Sequence, residues 1–503
     1  MTEVTTKQGT LRGTGTAHGV RFAGIPYAAP PVGKLRFRPP APPEGWDGVR
    51  DAARFGHIAP QNASMMDAIT GTEPEVHGED CLYLNVWTPS VDDHGARPVM
   101  VWIHGGGFQI GSGSSPIYDG DSFARDGVVF VSLNYRLGEL GFMELGGIDP
   151  DYAGSGNNGL RDQIAALQWV QDNIAAFGGD PANVTIFGES AGSMSVALLM
   201  AAEGTTGLFR RAICESGGTN AASTPDAAQH LATQYLDAAS VGDVESLLAL
   251  SVEQLLEVQT KVLMERFADP DKTIAEGGDP LTFLPFRPVT DGGLVPHEPL
   301  AALAAGSAAG VDVVVGYNAE EWNLFSLMDA TPIDDEALVR RAGLVSSNPE
   351  ALVEAYRTHR GDTDGSPKSL MGAMFTDLLF RRPGAALLAA QQGHGATYAY
   401  RFDWASPSMG GLLGAAHAME LPFVFDGVSV PGIEVLVGPE APQDLATAMH
   451  GAWVSFAQNG QPAVPGGPEW PQWHPDGLAA LVFDTPCHAV MDAHPAVDSA
   501  WGA

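Results

Sequence analysis

At 503 residues the chain exceeds the usual size of one structural domain, so an elaborated core carrying insertions is expected. Its 45% hydrophobic content and near-zero mean hydropathy describe a soluble globular protein. Against 60 Asp and Glu stand 26 Lys and Arg, a net charge of −34, which disfavours nucleic acid and anionic membranes and favours uncharged over polyanionic small molecules.

Taken in chain order, Met1 to Gly9 has neither a basic n-region nor an apolar h-region, so no secretory leader is expected. No apolar run of 18 or more residues exists, and no transmembrane helix is expected. Residues 1–60 are rich in Pro and Gly and predict an antiparallel edge; residues 80–216 hold the central strands and crossover helices. Val99 to Ile103 is a buried-strand candidate that runs into His104-Gly105-Gly106-Gly107-Phe108. Three residues without side chains leave backbone N–H groups unobstructed, which an oxyanion hole requires, so Gly106 and Gly107 are candidate donors.

Gly154-Ser155-Gly156-Asn157-Asn158-Gly159 satisfies G-x-G-x-x-G, but Gly146 to Asp151 before it is not a buried strand. The dinucleotide fingerprint lacks its context, and the stretch reads as a loop entering a helix. That helix follows from Leu160, Ile164, Leu167, Val170 and Ile174 at helical spacing. Next, the β-prone run Val184 to Phe187 leads into Gly188-Glu189-Ser190-Ala191-Gly192, and Ser193 to Met200 reads as a helix. Strand, G-x-S-x-G, helix is the layout of a nucleophile elbow, with Ser190 lifted above the sheet edge and Ala191 as a further amide donor.

Between about 220 and 280, stretches such as Val244 to Leu250 predict inserted helices, and a second helical insertion spans about 332–395. Insertions above strand ends commonly wall a pocket. Val311 to Gly316 reads as a strand followed by Glu320-Glu321-Trp322. Tyr398 to Phe402 is strand-like and leads through a Gly/Ser/Pro-rich loop to His417. Without H-x-x-x-H, C-x-x-C or an Asp-rich calcium loop, neither a metal nor a cofactor is expected. No internal repeat is visible.

Many separate motifs now stand in one order. They include Phe22 to Tyr27, Pro30 to Phe37, Glu79 to Val86, Asn134-Tyr135-Arg136, Gly159 to Gln163, Phe177 to Pro181, the elbow, and Gly414 to Phe425. Together they resemble the type-B carboxylesterases, the α/β-hydrolase branch that also contains the cholinesterases. The resemblance implies an α/β fold: one large, mostly parallel sheet flanked by helices, with an N-terminal antiparallel edge, in a single catalytic domain over 1–503.

A serine hydroxyl needs a base, and the base needs an orienting partner. The resemblance implies His417 as base and a Glu five residues beyond Gly316, Glu321, as its partner, with Glu320 the alternative. Trp322 departs from the Gly that usually follows the acid. Each of Gly106, Ser190, Glu321 and His417 follows an apolar run, so all four can converge beyond the carboxyl ends of the strands. The pairs Arg136–Asp162 and Arg36–Glu79 resemble structural ion pairs of the family.

The implied function is serine-dependent hydrolysis of small neutral carboxylic esters through an acyl-enzyme. An amidase or carbamate hydrolase on the same scaffold is the alternative, and a non-catalytic binding module fits less well because every piece is present. A cholinesterase is disfavoured: the loop from Asn62 to Gly78 lacks Trp, Tyr and Phe, so the cation–π platform is missing. Secreted relatives pair the cysteine matching Cys81 with one about twenty residues earlier, where this chain has none. Cys81 is therefore expected to be buried and free, in a reducing cytoplasm. Phe283, Phe286, Met409 and Leu412 are candidate pocket residues. Acyl length and oligomeric state stay open.

Overall fold

The computed structural model describes residues 2–63, 75–91, 93–268, 281, 284–327, 332–361 and 365–502. Among them thirteen strands form one sheet: β1 (Thr2–Thr5), β2 (Thr10–Gly15), β3 (Val20–Pro26), β4 (Val49–Asp51), β5 (Tyr83–Thr88), β6 (Arg97–Ile103), β7 (Val129–Leu133), β8 (Gly179–Glu189), β9 (Arg211–Glu215), β10 (Asp312–Asn318), β11 (Thr397–Phe402), β12 (Ala479–Phe483) and β13 (His488–Met491). Their order is β1-β2-β3-β5-β7-β6-β8-β9-β10-β11-β12-β13, with β4 beside β2. Pairing is parallel from β7 through β12 and antiparallel from β1 to β7 and at β12–β13. The fold is that of the α/β-hydrolases, with the expected antiparallel edge.

Parallel strands covered on both faces read as continuous apolar runs, and β6 shows why. Val99, Val101 and Ile103 enter one core, while Met100 and Trp102 enter another on the opposite face. Alternation along a strand sends successive side chains to opposite faces. Burying each such side chain contributes about 1.5–3 kcal/mol. The first face is covered by α1 (Asn158–Asn173), whose Leu160, Leu167 and Val170 are buried, and by α2 (Ala191–Ala201). Arg136 pairs with Asp162 at 2.7 Å and Arg36 with Glu79 at 2.6 Å.

Two helical stretches interrupt this plan. After β9 come α3 (Pro225–Ala239) and α4 (Val252–Ala268). After β10 come α5 (Asp335–Ala342), α6 (Pro349–Arg360), α7 (Pro367–Thr376), a π-helical turn over Asp377–Arg381, and α8 (Arg382–Gln391). Helices α5 to α7 close a small core of their own around Leu338, Leu352, Tyr356, Leu370 and Met374, which Val497 and Trp501 complete. Helix α9 (Gln443–Asn459) covers the second face of the sheet through Met449, Trp453 and Phe456. Cys81, Cys214 and Cys487 are all free.

Candidate active site

The site is built at the carboxyl ends of β6, β8, β9, β10 and β11. Chain leaving β8 must reverse at once into α2, and Ser190 takes the turn with φ 55° and ψ −123°. A positive φ is strained for any residue with a Cβ, and such strain persists only where surroundings enforce it. Here the Ser190 N–H donates to Glu215 O at 2.9 Å, and Ser190 O accepts from the Met194 N–H at 2.8 Å. A Cβ on Gly192 would lie 2.0 Å from Ile103 O, so the turn can press against β6 only if that position is glycine.

From β6 the chain passes into the glycine loop. Gly106 has φ 107°, and a Cβ there would lie 2.1 Å from Ile110 O. Its carbonyl accepts the N–H groups of Gln109 and Ile110, both at 3.1 Å. Among the described residues, the amides of Gly106, Gly107 and Ala191 donate to no acceptor. Behind the loop, His104 is stacked on Tyr135 at 4.5 Å, and its Nδ1 meets Gly105 O at 2.8 Å. Burial pushes this imidazole down to about 4, so it braces the loop as a neutral ring.

The loop beyond β10 brings Glu321, wholly buried, to the ring of His417: Nδ1 lies 2.6 Å from Oε2. The other carboxylate oxygen accepts the Asn318 N–H at 2.7 Å, and the His417 N–H donates to Glu321 O at 3.2 Å. Both partners are therefore fixed through backbone as well as side chain. Glu320 points elsewhere, accepting the Ala415 N–H at 3.2 Å.

On its other side, Nε2 of His417 lies 3.1 Å from Oε1 of Glu189, the residue before the elbow serine. That oxygen has no hydrogen-bond partner, so the contact is one of charge and leaves the Nε2 direction uncommitted. Burial alone would lower the His417 pKa; Glu189 and then Glu321 outweigh it and lift it to about 9. Ser190 Oγ makes no hydrogen bond among the described residues. Catalytic hydrogen bonds often tighten only in the substrate complex.

Sequence reasoning overlooked Glu189, although its place at the variable position of the elbow, pinned beside the serine, was a usable signal. It also overlooked the rings that face His417, Phe325 at 5.1 Å and Phe380 at 4.9 Å. Trp322 stacks on Phe375 at 4.6 Å and lies 4.9 Å from Phe325. A bulky residue after the acid is thus absorbed into an aromatic group supplied partly by the second insertion. Beyond Phe380 lies a cavity of about 280 Å³ lined also by Tyr317, Arg381, Leu388 and Trp473.

The three candidate pocket residues that are described do not gather at this place. Phe283 lies outside the described residues. Phe286 is fully buried in the main core, its ring 6.0 Å from Tyr235, so it packs rather than lines a wall. Met409 and Leu412 are 42% and 65% exposed, because the Ser406 N–H donates to Gly414 O at 3.0 Å and closes the intervening loop outward.

The chain is similar to known proteins along its length. A family model described as the carboxylesterase family matches residues 1–494. A para-nitrobenzyl esterase of Bacillus subtilis is 39% identical over 493 residues, covering 96% of this chain and 94% of that protein. A phenmedipham hydrolase of Pseudarthrobacter oxydans is 35% identical, covering 92% and 90%. Among solved structures, a carboxylesterase of Geobacillus stearothermophilus superposes with a TM-score of 0.87 at 38% identity, over 100% of both chains.

Proposed function

We propose, from the premise that this chain belongs to the carboxylesterase family and is a serine hydrolase of carboxylic esters, that Ser190, His417 and Glu321 are its catalytic triad. The observation that carries the reading is the 2.6 Å contact between buried Glu321 and Nδ1 of His417, which turns Nε2 toward the elbow. Neutral small-molecule esters are the substrates, in keeping with a strongly acidic chain and aromatic rings beside the base.

In the first step Ser190 Oγ attacks the ester carbonyl while His417 Nε2 takes its proton. The oxygen that becomes negative is held by the amides of Gly106, Gly107 and Ala191, which have no competing acceptor among the described residues. One such donor is worth about 10²–10³ in rate. His417 then protonates the leaving alcohol, and water attacks the acyl-enzyme with His417 again as base. Glu321 holds the tautomer and stabilises the cation. The two helical insertions, about 220–280 and 332–395, are read as pocket walls; Phe380 beside His417 supports this for the second. Three free cysteines favour a reducing compartment, and the cytoplasm is proposed on that ground.

Replacing Ser190→Ala should lower kcat on p-nitrophenyl esters by several orders of magnitude with an unchanged melting temperature, because members of such a unit fail together. Wild-type turnover in the purified variant would remove Ser190 from the mechanism.

A further inference from the structure

Behind the triad, four adjacent strands carry a row of residues in register: Glu189 on β8 lies opposite Glu215 on β9, Glu215 opposite Gly316 on β10, and Gly316 opposite Tyr400 on β11. Residues in register on neighbouring strands share a face. Gly316 leaves a gap in that row, and the Tyr400 ring fills it: a Cβ at 316 would lie 2.1 Å from Tyr400 Cδ1 and Cε1. The phenol therefore leans across Gly316 toward Glu215. Glu420, three residues after His417, accepts from Asn318 Nδ2 at 2.5 Å, while the Asn318 N–H holds Glu321. Trp453 Nε1 donates to Glu215 at 2.7 Å.

Among the described residues Glu189 Oε1, Glu215 Oε2 and Glu420 Oε1 have no hydrogen-bond partner, and neither do the Tyr400 hydroxyl and Ser216 Oγ. All are buried. Among the described residues no Lys or Arg pairs with any of them, and His417 is the one cation in contact. The titratable groups that face Glu215 and Glu420, besides each other, are Glu189, Glu321, His417, Tyr400, Tyr118 from the neighbouring Pro116–Tyr118 turn and, beside Glu215, Cys214. Four carboxylates around one imidazole cannot all be charged in a buried site, since neighbouring like charges and desolvation both favour retaining protons. Orphaned buried oxygens demand hydrogen-bond donors, and a retained carboxyl proton is one.

We propose that Glu215 and Glu420 are positioning residues that stay protonated at neutral pH behind the triad, Glu420 by fixing Asn318, whose N–H holds Glu321, and Glu215 by standing in register beside Glu189. Burial is the first cause that raises both groups, and the neighbouring carboxylates add to it. The proposal rests on His417 being the base, and its test separates the two.

Infrared spectra of the full chain at pH 7 should show the carbonyl stretch of protonated carboxyl groups. Part of that band should vanish in Glu215→Gln and part in Glu420→Gln, while Ser190→Ala, which tests the triad instead, should keep it whole. In the wild type, which needs no variant to fold, the band should disappear on titration to alkaline pH. The acid-side midpoint of kcat/KM should move by about one pH unit or more in Glu189→Gln, a tenfold effect at fixed pH, and should stay in place in E215Q and E420Q. A wild-type chain without the band at pH 7, a band left undiminished by each of the two substitutions, or a midpoint that moves in E215Q or E420Q as it does in E189Q would overturn the proposal.

Discussion

His417 has a carboxylate at each ring nitrogen, Glu321 at Nδ1 and Glu189 at Nε2, and a base so placed holds its proton harder than a free imidazole. General-base catalysis needs the neutral ring, so kcat/KM should fall on acidification through a midpoint above the ordinary 6.5, toward about 9. Glu189→Gln removes the largest of the raising charges and should lower that midpoint. A pH–rate profile of the two proteins measures this, and coincident profiles would contradict the assignment.

A second buried carboxylate concerns stability rather than rate. Glu139 is 1% exposed, neither of its oxygens has a hydrogen-bond partner among the described residues, and burial raises it from 4.5 to about 7. Between those values the folded chain holds a proton that the unfolded chain has released, so stability is lost as pH rises and the loss is complete above 7. The Gln variant cannot ionise. It should be more stable than wild type at pH 8 by up to about 3 kcal/mol, with the gap closing near pH 4. Urea midpoints at both pH values decide the matter; a gap independent of pH would mean that Glu139 has found a partner.

At the scale of elements, the glycine loop joins β6 to the chemistry by backbone alone. Gly106→Ala places a methyl 2.1 Å from Ile110 O, so the loop must shift and the amide it presents must move with it. Loss of one donor predicts about 10²–10³ in kcat. KM and melting temperature should change little, because the loop adds little to the core. Unchanged kcat would exclude the Gly106 amide from oxyanion binding. Such a loop is legible in sequence because its geometry tolerates only glycine at given positions, and the same holds for Gly192 against Ile103. Strand β6 is legible for a related reason, the unbroken apolar run from Val99 to Ile103.

The walls of the site are not legible in that way. Phe325 and Phe380 reach His417 from a short helix after β10 and from a π-helical turn before α8, and their sequence neighbourhood resembles ordinary helix packing. Phe286 looked equally plausible and is core, while Met409 and Leu412 lie on an outward loop. Glu215 and Tyr400 come together only through strand register, with Gly316 between them, and no local pattern announces a register.

Across the whole molecule the net charge of −34 acts on whatever approaches the site. Screening lengths fall from about 10 Å at 0.1 M salt to about 3 Å at 1 M, so a field of this kind is felt at low salt and suppressed at high salt. A neutral ester feels none of it. An anionic ester of the same acyl size should be repelled, and its kcat/KM should rise with sodium chloride while that of the neutral ester stays flat; steering effects of this type span about 10–10³ in association rate. Initial rates for such a pair across salt concentrations separate a surface field from a pocket effect. A pocket that rejects the anion by desolvation keeps rejecting it at 1 M salt, whereas a surface field does not. A salt-independent ratio between the two esters would therefore move the selectivity from the acidic exterior to the buried carboxylates beneath His417.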